Sequence, residues 1–241
     1  MIIIPDIHGR TFWKDAVSKK GETEKVIFLG DYLEPYTDRE GITHEDAYNN
    51  FLEIIEYKKA HMDDCILLLG NHDFACIDRS MISCRHDYFN EERNRNIFHD
   101  NMELFDIAHY IIIGDTKYIF SHSGIHKEWY EGIYKTDDEK NTEMCTLLNT
   151  MFHRNYEDLI PYLCMYSRYR GFISPYKLGS CVWADCREWA SLSDDDMFDN
   201  VYQIFGHTLL MEEPVITERW ANLDCRKAFR LDEENGKLNQ I

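Results

Sequence analysis

The chain has no Cys-x-x-Cys pair, only 5 prolines, and no apolar run approaching the ~18 residues of a membrane span. The first absence argues against a zinc ribbon, the second against a proline-rich disordered chain, and the third against a transmembrane protein. The opening residues, Met1-Ile2-Ile3-Ile4-Pro5-Asp6, lack the basic flank and the long apolar core of a secretory signal, so a cytoplasmic location is expected. Basic residues are also scarce: 26 Lys and Arg face 44 Asp and Glu, a net charge of −18. Such a charge repels phosphate backbones and anionic lipid, so neither nonspecific nucleic-acid binding nor membrane association is expected. The eight cysteines (Cys65, Cys76, Cys84, Cys145, Cys164, Cys181, Cys186 and Cys225) are dispersed through a chain large enough to fold without staples, and read as reduced thiols.

What is present is the composition of a folded globule. With 241 residues, 44% of them hydrophobic, the chain can be organised as a single domain over 1–241. Its strongest regularity is a short β-type run that stops abruptly at Asp, His or Asn. Ile2-Ile3-Ile4 leads to Asp6-Ile7-His8-Gly9, Val26-Ile27-Phe28-Leu29 to Gly30-Asp31, and Ile66-Leu67-Leu68-Leu69 to Gly70-Asn71-His72-Asp73. Tyr118-Ile119-Phe120 then leads to Ser121-His122-Ser123-Gly124, and the run from Val201 to Phe205 to Gly206-His207-Thr208. Runs so short and so rich in Ile, Val and Phe read as strands buried on both faces.

Between the early strands lies a helical signal over 43–60, where Thr43-x-x-Asp46 resembles a capping box and Ala47, Phe51, Ile54 and Ile55 recur at helical spacing. Alternating strand and helix predicts parallel strands with right-handed crossovers, whose carboxyl ends share one sheet edge. After about Ile107, Tyr110–Ile113 and Lys117–Phe120 flank Gly114-Asp115 as a hairpin, which makes the sheet mixed. An α/β fold is therefore expected, with a mainly helical insertion or cap at about 128–198. Strands are expected at 221–224 and 228–231, and Asp232 to Ile241 reads as a frayed tail.

Imidazole, carboxylate and amide oxygen gathered at strand ends suit divalent transition metals; manganese comes first, and iron or zinc also fits. Asp6 and His8 lie two apart in an extended segment, point the same way and can grip one ion. Asp31 has two oxygens and can bridge two ions. Asn71, His122 and His207 would complete the second site. The histidines outside the strand-end motifs, His44, His61, His86, His99, His109, His126 and His153, are expected to be structural or exposed, His126 being the least clear.

In their order, Asp6-x-His8-Gly9, Gly30-Asp31-Tyr32, Gly70-Asn71-His72-Asp73, Ser121-His122-Ser123-Gly124 and Gly206-His207-Thr208 resemble the calcineurin-like metallophosphoesterases. Within them the chain is most similar to the phosphoprotein phosphatase and symmetrical diadenosine tetraphosphatase group. Val182-Trp183-Ala184-Asp185 and Asn222-Leu223-Asp224-Cys225 resemble two weaker late motifs. The resemblance implies a four-layer α/β/β/α sandwich with mixed central sheets and a dinuclear site. Asp6, His8 and Asp31 would hold one ion, and Asp31, Asn71, His122 and His207 the other. His72 would be the general acid, and a metal-bridging hydroxide the nucleophile on a phosphorylated substrate.

One departure matters. The group places a second Asp and then a phosphate-gripping Arg after its Gly-Asp, whereas this chain reads Tyr32-Leu33-Glu34-Pro35-Tyr36. Glu34 is expected to orient and charge-stabilise His72. The missing guanidinium is sought in Arg168, Arg170 and Arg187. A phosphomonoesterase is the leading expectation. A nucleotide phosphoanhydride hydrolase or phosphodiesterase is the competing enzyme, with the aromatic segment from Tyr156 to Tyr176 as a base-stacking surface. A non-catalytic metal-binding module is the alternative outside enzymes.

Overall fold

The computed structural model describes residues 1–81, 85–170 and 177–241. Cys84 and the Gly171 to Tyr176 part of the aromatic segment fall outside these. The chain divides into two compact units, one formed by Met1–Phe105 with Arg226–Ile241 and the other by Asp106–Cys225.

In the first unit the apolar runs become short strands because every side chain in them has a buried face to fill. β1 (Ile2–Ile4) and β2 (Val26–Phe28) are wholly buried, and β3 (Cys65–Leu68) nearly so. α1 (Phe12–Ser18) follows β1, and α2 (Thr37–Glu40) and α3 (His44–Ala60) link β2 to β3. α3 begins where the sequence places it. The Asp46 N–H donates to Thr43 Oγ1 at 3.0 Å and the Thr43 N–H to Asp46 Oδ2 at 3.0 Å. α3 buries Ala47, Phe51, Ile54 and Ile55. Phe51 stacks on Tyr32 with ring centroids 4.8 Å apart, and Phe98 and Phe105 close the cluster. α4 (Asn71–Ile77), α5 (Glu91–His99) and β4 (Phe105–Asp106) complete the run.

β1, β2 and β3 are parallel and in step: Ile4 faces Phe28, and Phe28 faces Leu67. Asp6, Asp31 and Asn71 each lie just past the carboxyl end of a strand, on one edge of the sheet, where parallel sheets present ligand-binding loops.

The second unit is built on the expected hairpin, β5 (Ala108–Ile113) and β6 (Thr116–Ser121), antiparallel to each other. The segment between β6 and β7 (Val201–Phe205) carries helices alone among the described residues: α6 (Lys127–Glu131), α7 (Asp137–Asn141), α8 (Met144–Asn155), α9 (Ile160–Leu163) and α10 (Cys186–Trp189), with short 3-10 turns. β7 runs parallel to β6 and to β9 (Trp220–Asn222), and β8 (Val215–Ile216) runs antiparallel to β9. Trp189, Phe205 and Trp220 form a buried core cluster here. Gly124 admits Trp189 to it: a Cβ at that position would sit 2.4 Å from the indole.

Returning to the first unit, β10 (Phe229–Leu231) pairs antiparallel with β1. The segment expected to fray does not. Leu238–Gln240 forms β11, antiparallel to β10, with Leu231 opposite Leu238. The turn between them contains Asn235 and Gly236, the latter at φ 73°, and closes through Asp232 and Lys237. The first sheet therefore has the order β11-β10-β1-β2-β3-β4 and the second β5-β6-β7-β9-β8, both mixed.

Candidate metal centre

In the first unit three strand-end loops lock onto one another. Past β1 and β2 the backbones run side by side: His8 N–H donates to the Asp31 carbonyl at 2.7 Å and Gly9 N–H to the Tyr32 carbonyl at 3.1 Å. The β3 loop holds the β2 loop through Asp73, whose carboxylate accepts the N–H groups of Asp31 at 2.7 Å, Tyr32 at 3.0 Å and Gly70 at 2.8 Å. The contact is so close that a Cβ on Gly30, at φ 103°, would lie 2.4 Å from the Gly70 nitrogen. His8, Asp31 and Glu34 sit at positive φ (44°, 55° and 60°) although none is glycine. Non-glycine residues held there cost of order 1–3 kcal/mol each, and such strain gathers at functional sites.

The payoff is a buried donor cluster. His8, Asp31 and His72 each offer one ligating atom, and the three atoms lie within 4.8 Å of one another. Asp31 Oδ1 accepts the His72 N–H at 3.0 Å, and Asp31 Oδ2 lies 3.4 Å from His8 Nε2. Asp6 Oδ2 is 4.0 Å from the same Nε2. His8 Nδ1 is 3.0 Å from the Leu33 carbonyl, which selects the tautomer with its proton on Nδ1 and presents the Nε2 lone pair to the cluster. Burial, then the charges of His72, Arg85 and Arg10, hold His8 well below the ordinary imidazole pKa, so it is neutral at physiological pH, as a metal ligand must be. The donor set thus fits a divalent cation. His72, expected to serve as acid, belongs to the same cluster; Asn71 is buried beside it in sequence, at the first turn of α4.

In the second unit His122 and His207 also meet: His122 Nε2 lies 3.0 Å from His207 Nδ1, and both rings are buried. His207 is at φ 67°, and Gly206 N–H donates to the His122 carbonyl at 2.8 Å, joining the ends of β6 and β7. The two weak late motifs support this loop. Asn222 Nδ2 donates to the Thr208 carbonyl at 2.7 Å. Asp185 caps α10 and binds both Arg170, at 3.1 Å, and Arg187, at 2.7 and 3.0 Å. Arg170 in turn donates to the His207 carbonyl at 3.3 Å and Thr208 Oγ1 at 2.9 Å. Arg170 and Arg187 are therefore spoken for by loop architecture. Arg168 is exposed and rests against Tyr169.

His126 is structural: its Nε2 is 3.1 Å from Glu188 and its ring stacks on Trp189 at 4.3 Å. Glu34 is placed differently from expectation. Its carboxylate accepts the Asp87 N–H at 3.1 Å and lies 3.8 Å from His86 Nδ1; these groups, not His72, engage it among the described residues. Two residues of the first unit escaped the sequence reading. Asp73 stands in the Gly70-Asn71-His72-Asp73 motif but was given no role there, although Gly70-x-x-Asp73 is also a capping signal. Arg85 had no signal, since it follows no strand.

Burial pushes the Glu34 carboxyl up to about 7, against help from the Asp87 N–H. The folded chain then keeps a proton that the unfolded chain releases near pH 4.5, so the stability of the neutral form is present at low pH and lost as pH rises through 7. Glu34→Gln keeps the acceptor and never ionises. In chelated protein it is expected to match the wild type at pH 4 and to exceed it by roughly 3 kcal/mol at pH 8.5. Urea unfolding at the two pH values checks this; an unchanged difference would contradict it.

The calcineurin-like phosphoesterase family model matches residues 2–211. The chain belongs to the calcineurin-like phosphoesterase family. It is thereby a hydrolase of phosphoric esters, and the family uses divalent metal ions, in keeping with the donor cluster. Among solved structures, the cold-active protein-tyrosine phosphatase of a psychrophilic Shewanella species aligns over 99% of this chain and 79% of its own, at 14% identity and a TM-score of 0.52. A second structure of a cold-active protein tyrosine phosphatase aligns over 99% and 77%, at 15% identity and a TM-score of 0.58. A protein serine/threonine phosphatase from Saccharomyces cerevisiae aligns over 92% and 65%, at 15% identity and a TM-score of 0.52. At these identities the likeness shows a shared fold. Comparison with curated proteins finds no match. No helix among the described residues is long and apolar enough to cross a membrane.

Proposed function

We propose that this calcineurin-like phosphoesterase is a dinuclear-metal-dependent phosphomonoesterase of the phosphoprotein phosphatase type, its two units acting as one catalytic domain. The observation that carries the reading is the buried His8, Asp31 and His72 cluster at the ends of parallel strands in a chain of this family. Asp6, His8 and Asp31 would hold one ion, and Asp31, Asn71, His122 and His207 a second, with manganese the first candidate. The ions would supply Lewis acidity, activating water and neutralising charge that develops on the phosphoryl oxygens.

The chain's own groups do the remaining work. His8 is kept neutral and is oriented by Leu33. Asp31 is fixed by hydrogen bonds to its N–H, its carbonyl and Oδ1, so the site is organised before substrate arrives and loses little to rearrangement. His72 delivers a proton to the departing oxygen. A cytoplasmic setting fits the free thiols of Cys65, Cys76, Cys145, Cys181 and Cys186.

His72→Asn tests the acid role. Turnover is expected to fall ~10²–10⁴-fold on an alkyl phosphate, whose leaving group needs a proton, and far less on an aryl phosphate with an acidic phenol. Equal losses on both would remove His72 from that role. Rates on a phosphodiester and a dinucleoside polyphosphate, measured alongside, separate the monoesterase from the nucleotide hydrolase.

A further inference from the structure

In the first unit α3 and α5 pack on one another through Phe51 and Phe98, whose ring centroids are 4.9 Å apart. The same two helices line an open groove of about 610 Å³ that includes no residue of the donor cluster. Its apolar surface comes from Tyr48 and Leu52, one turn apart on α3, from Ile97 on α5, and from Phe89 in the segment that leads into α5. Phe89 is 99% exposed and Leu52 40%. Single apolar residues on a surface mean little, but a large aromatic left wholly in water beside an apolar-lined groove offers area for a partner to cover.

The polar wall of the groove has one sign. Glu92, Asn96 and Asp100 follow one another at helical spacing along α5 and its C-cap, which sets the two carboxylates about 12 Å apart. Neighbouring acidic groups are paired: Glu45 with Arg93, and Glu91 with Arg79 and Arg95. Glu92 and Asp100 form no such pair among the described residues. Arg93, the one cation lining the groove among these residues, is taken up by Glu45 and lies on the Tyr48 ring at 3.9 Å. Asp100 also stands where the last carbonyls of α5 concentrate negative charge, a place that favours a cation.

An apolar floor beside two unpaired carboxylates fits a peptide carrying cations and large apolar side chains. In an extended chain, cations ~12 Å apart are about four residues apart. The net charge of −18 opposes the approach of any dianionic phosphoryl group, and a basic stretch elsewhere in the same substrate offsets that repulsion. We propose that the groove between α3 and α5 docks a basic, apolar stretch of a phosphorylated protein substrate, its apolar side chains on Leu52 and Phe89 and its cations at Glu92 and Asp100. The proposal rests on the phosphatase reading above for the partner's role as substrate, and it names that substrate as a protein.

The test is fluorescence anisotropy of a labelled Gly/Ser dodecapeptide, with arginines four positions apart and two leucines between them, titrated with the intact chain. Saturable binding is expected. Phe89→Ala should weaken it ~10-fold, Glu92→Lys combined with Asp100→Lys ~10-fold or more, and added salt should weaken it further. Peptides with glutamates in place of the arginines, or serines in place of the leucines, should bind at least ~10-fold more weakly than the parent. Joined by a flexible linker to a phosphoserine, the basic peptide should lower KM ~10-fold with kcat unchanged. The charge-reversed variant should lose that gain while hydrolysing an aryl phosphate as the wild type does. No saturable binding, equal binding of the acidic peptide, or full affinity in the charge-reversed variant would overturn the proposal. So would a dimer in sedimentation that Phe89→Ala dissociates, because the groove would then belong to a second copy. A wild type that binds the basic peptide but hydrolyses no phosphoester would sink the phosphatase reading and leave the groove's preference for cations to the titration.

Discussion

Asp31→Asn is expected to lower phosphoesterase turnover by ~10³-fold or more while leaving the fold in place. The asymmetry follows from what each atom of Asp31 does. Its N–H donates to Asp73, its carbonyl accepts from His8, and Oδ1 accepts the His72 N–H. Asparagine keeps all three, because its amide oxygen can take the place of Oδ1. What it loses is the negative charge and the second oxygen, Oδ2, which faces His8 Nε2 at 3.4 Å. Under the proposed assignment that carboxylate would be shared by both ions, so its loss weakens both sites together. Manganese affinity should drop with turnover, and the thermal midpoint of chelated protein should stay within about 4 °C of the wild type, the shift expected for roughly 1 kcal/mol in a chain of this size. An Asp31→Asn variant with near-normal turnover would end the dinuclear proposal; one that simply unfolds would show that the charge is structural.

The sites legible in the sequence were those where one short segment carries both the strand and its chemistry. Ile2-Ile3-Ile4 before Asp6 and His8, or Val26 to Phe28 before Asp31, state in a few residues that a buried strand ends in a polar group, and the register of β1 and β2 follows from that pattern. The α3 start was equally local, since Thr43 and Asp46 cap each other. Harder to read were features whose meaning lies in a partner far along the chain. Arg85 meets Glu34, Tyr36 and His8, which are separated from it by 51, 49 and 77 positions, and nothing around Arg85 announces them. Glu34 fitted the role of a histidine's partner by chemistry, yet His86 and Asp87, brought in by the segment after α4, take its carboxylate. The tail misled for another reason. β11 is an exposed edge strand with Asn239 and Gln240, so it lacks the hydrophobic alternation that marks a strand, though Asn235-Gly236 is a strong hairpin signal in its own right.

Asp73 shows how much of the site's geometry depends on one side chain that touches none of the proposed chemistry directly. Its carboxylate is fully buried and accepts three backbone N–H groups from two loops. Asp73→Ala removes the acceptor and strands those donors where water cannot reach them, each at a cost of about 1–3 kcal/mol. A total near 4 kcal/mol is expected, comparable with breaking a buried charged network. The thermal midpoint should fall by roughly 8–16 °C. Asp73→Asn gives a second measurement: it keeps the volume and one acceptor oxygen but turns an NH2 toward a backbone donor, so its loss should be intermediate. Because the three donors belong to Gly70, Asp31 and Tyr32, the variants should also loosen the approach of the β2 loop to the β3 loop that Gly30 makes possible. Hydrogen exchange at Asp31 and Tyr32 should then rise before global unfolding. Protected amides at those two positions in Asp73→Ala, with stability within about 1 kcal/mol of the wild type, would mean that the loops are held by their backbones alone.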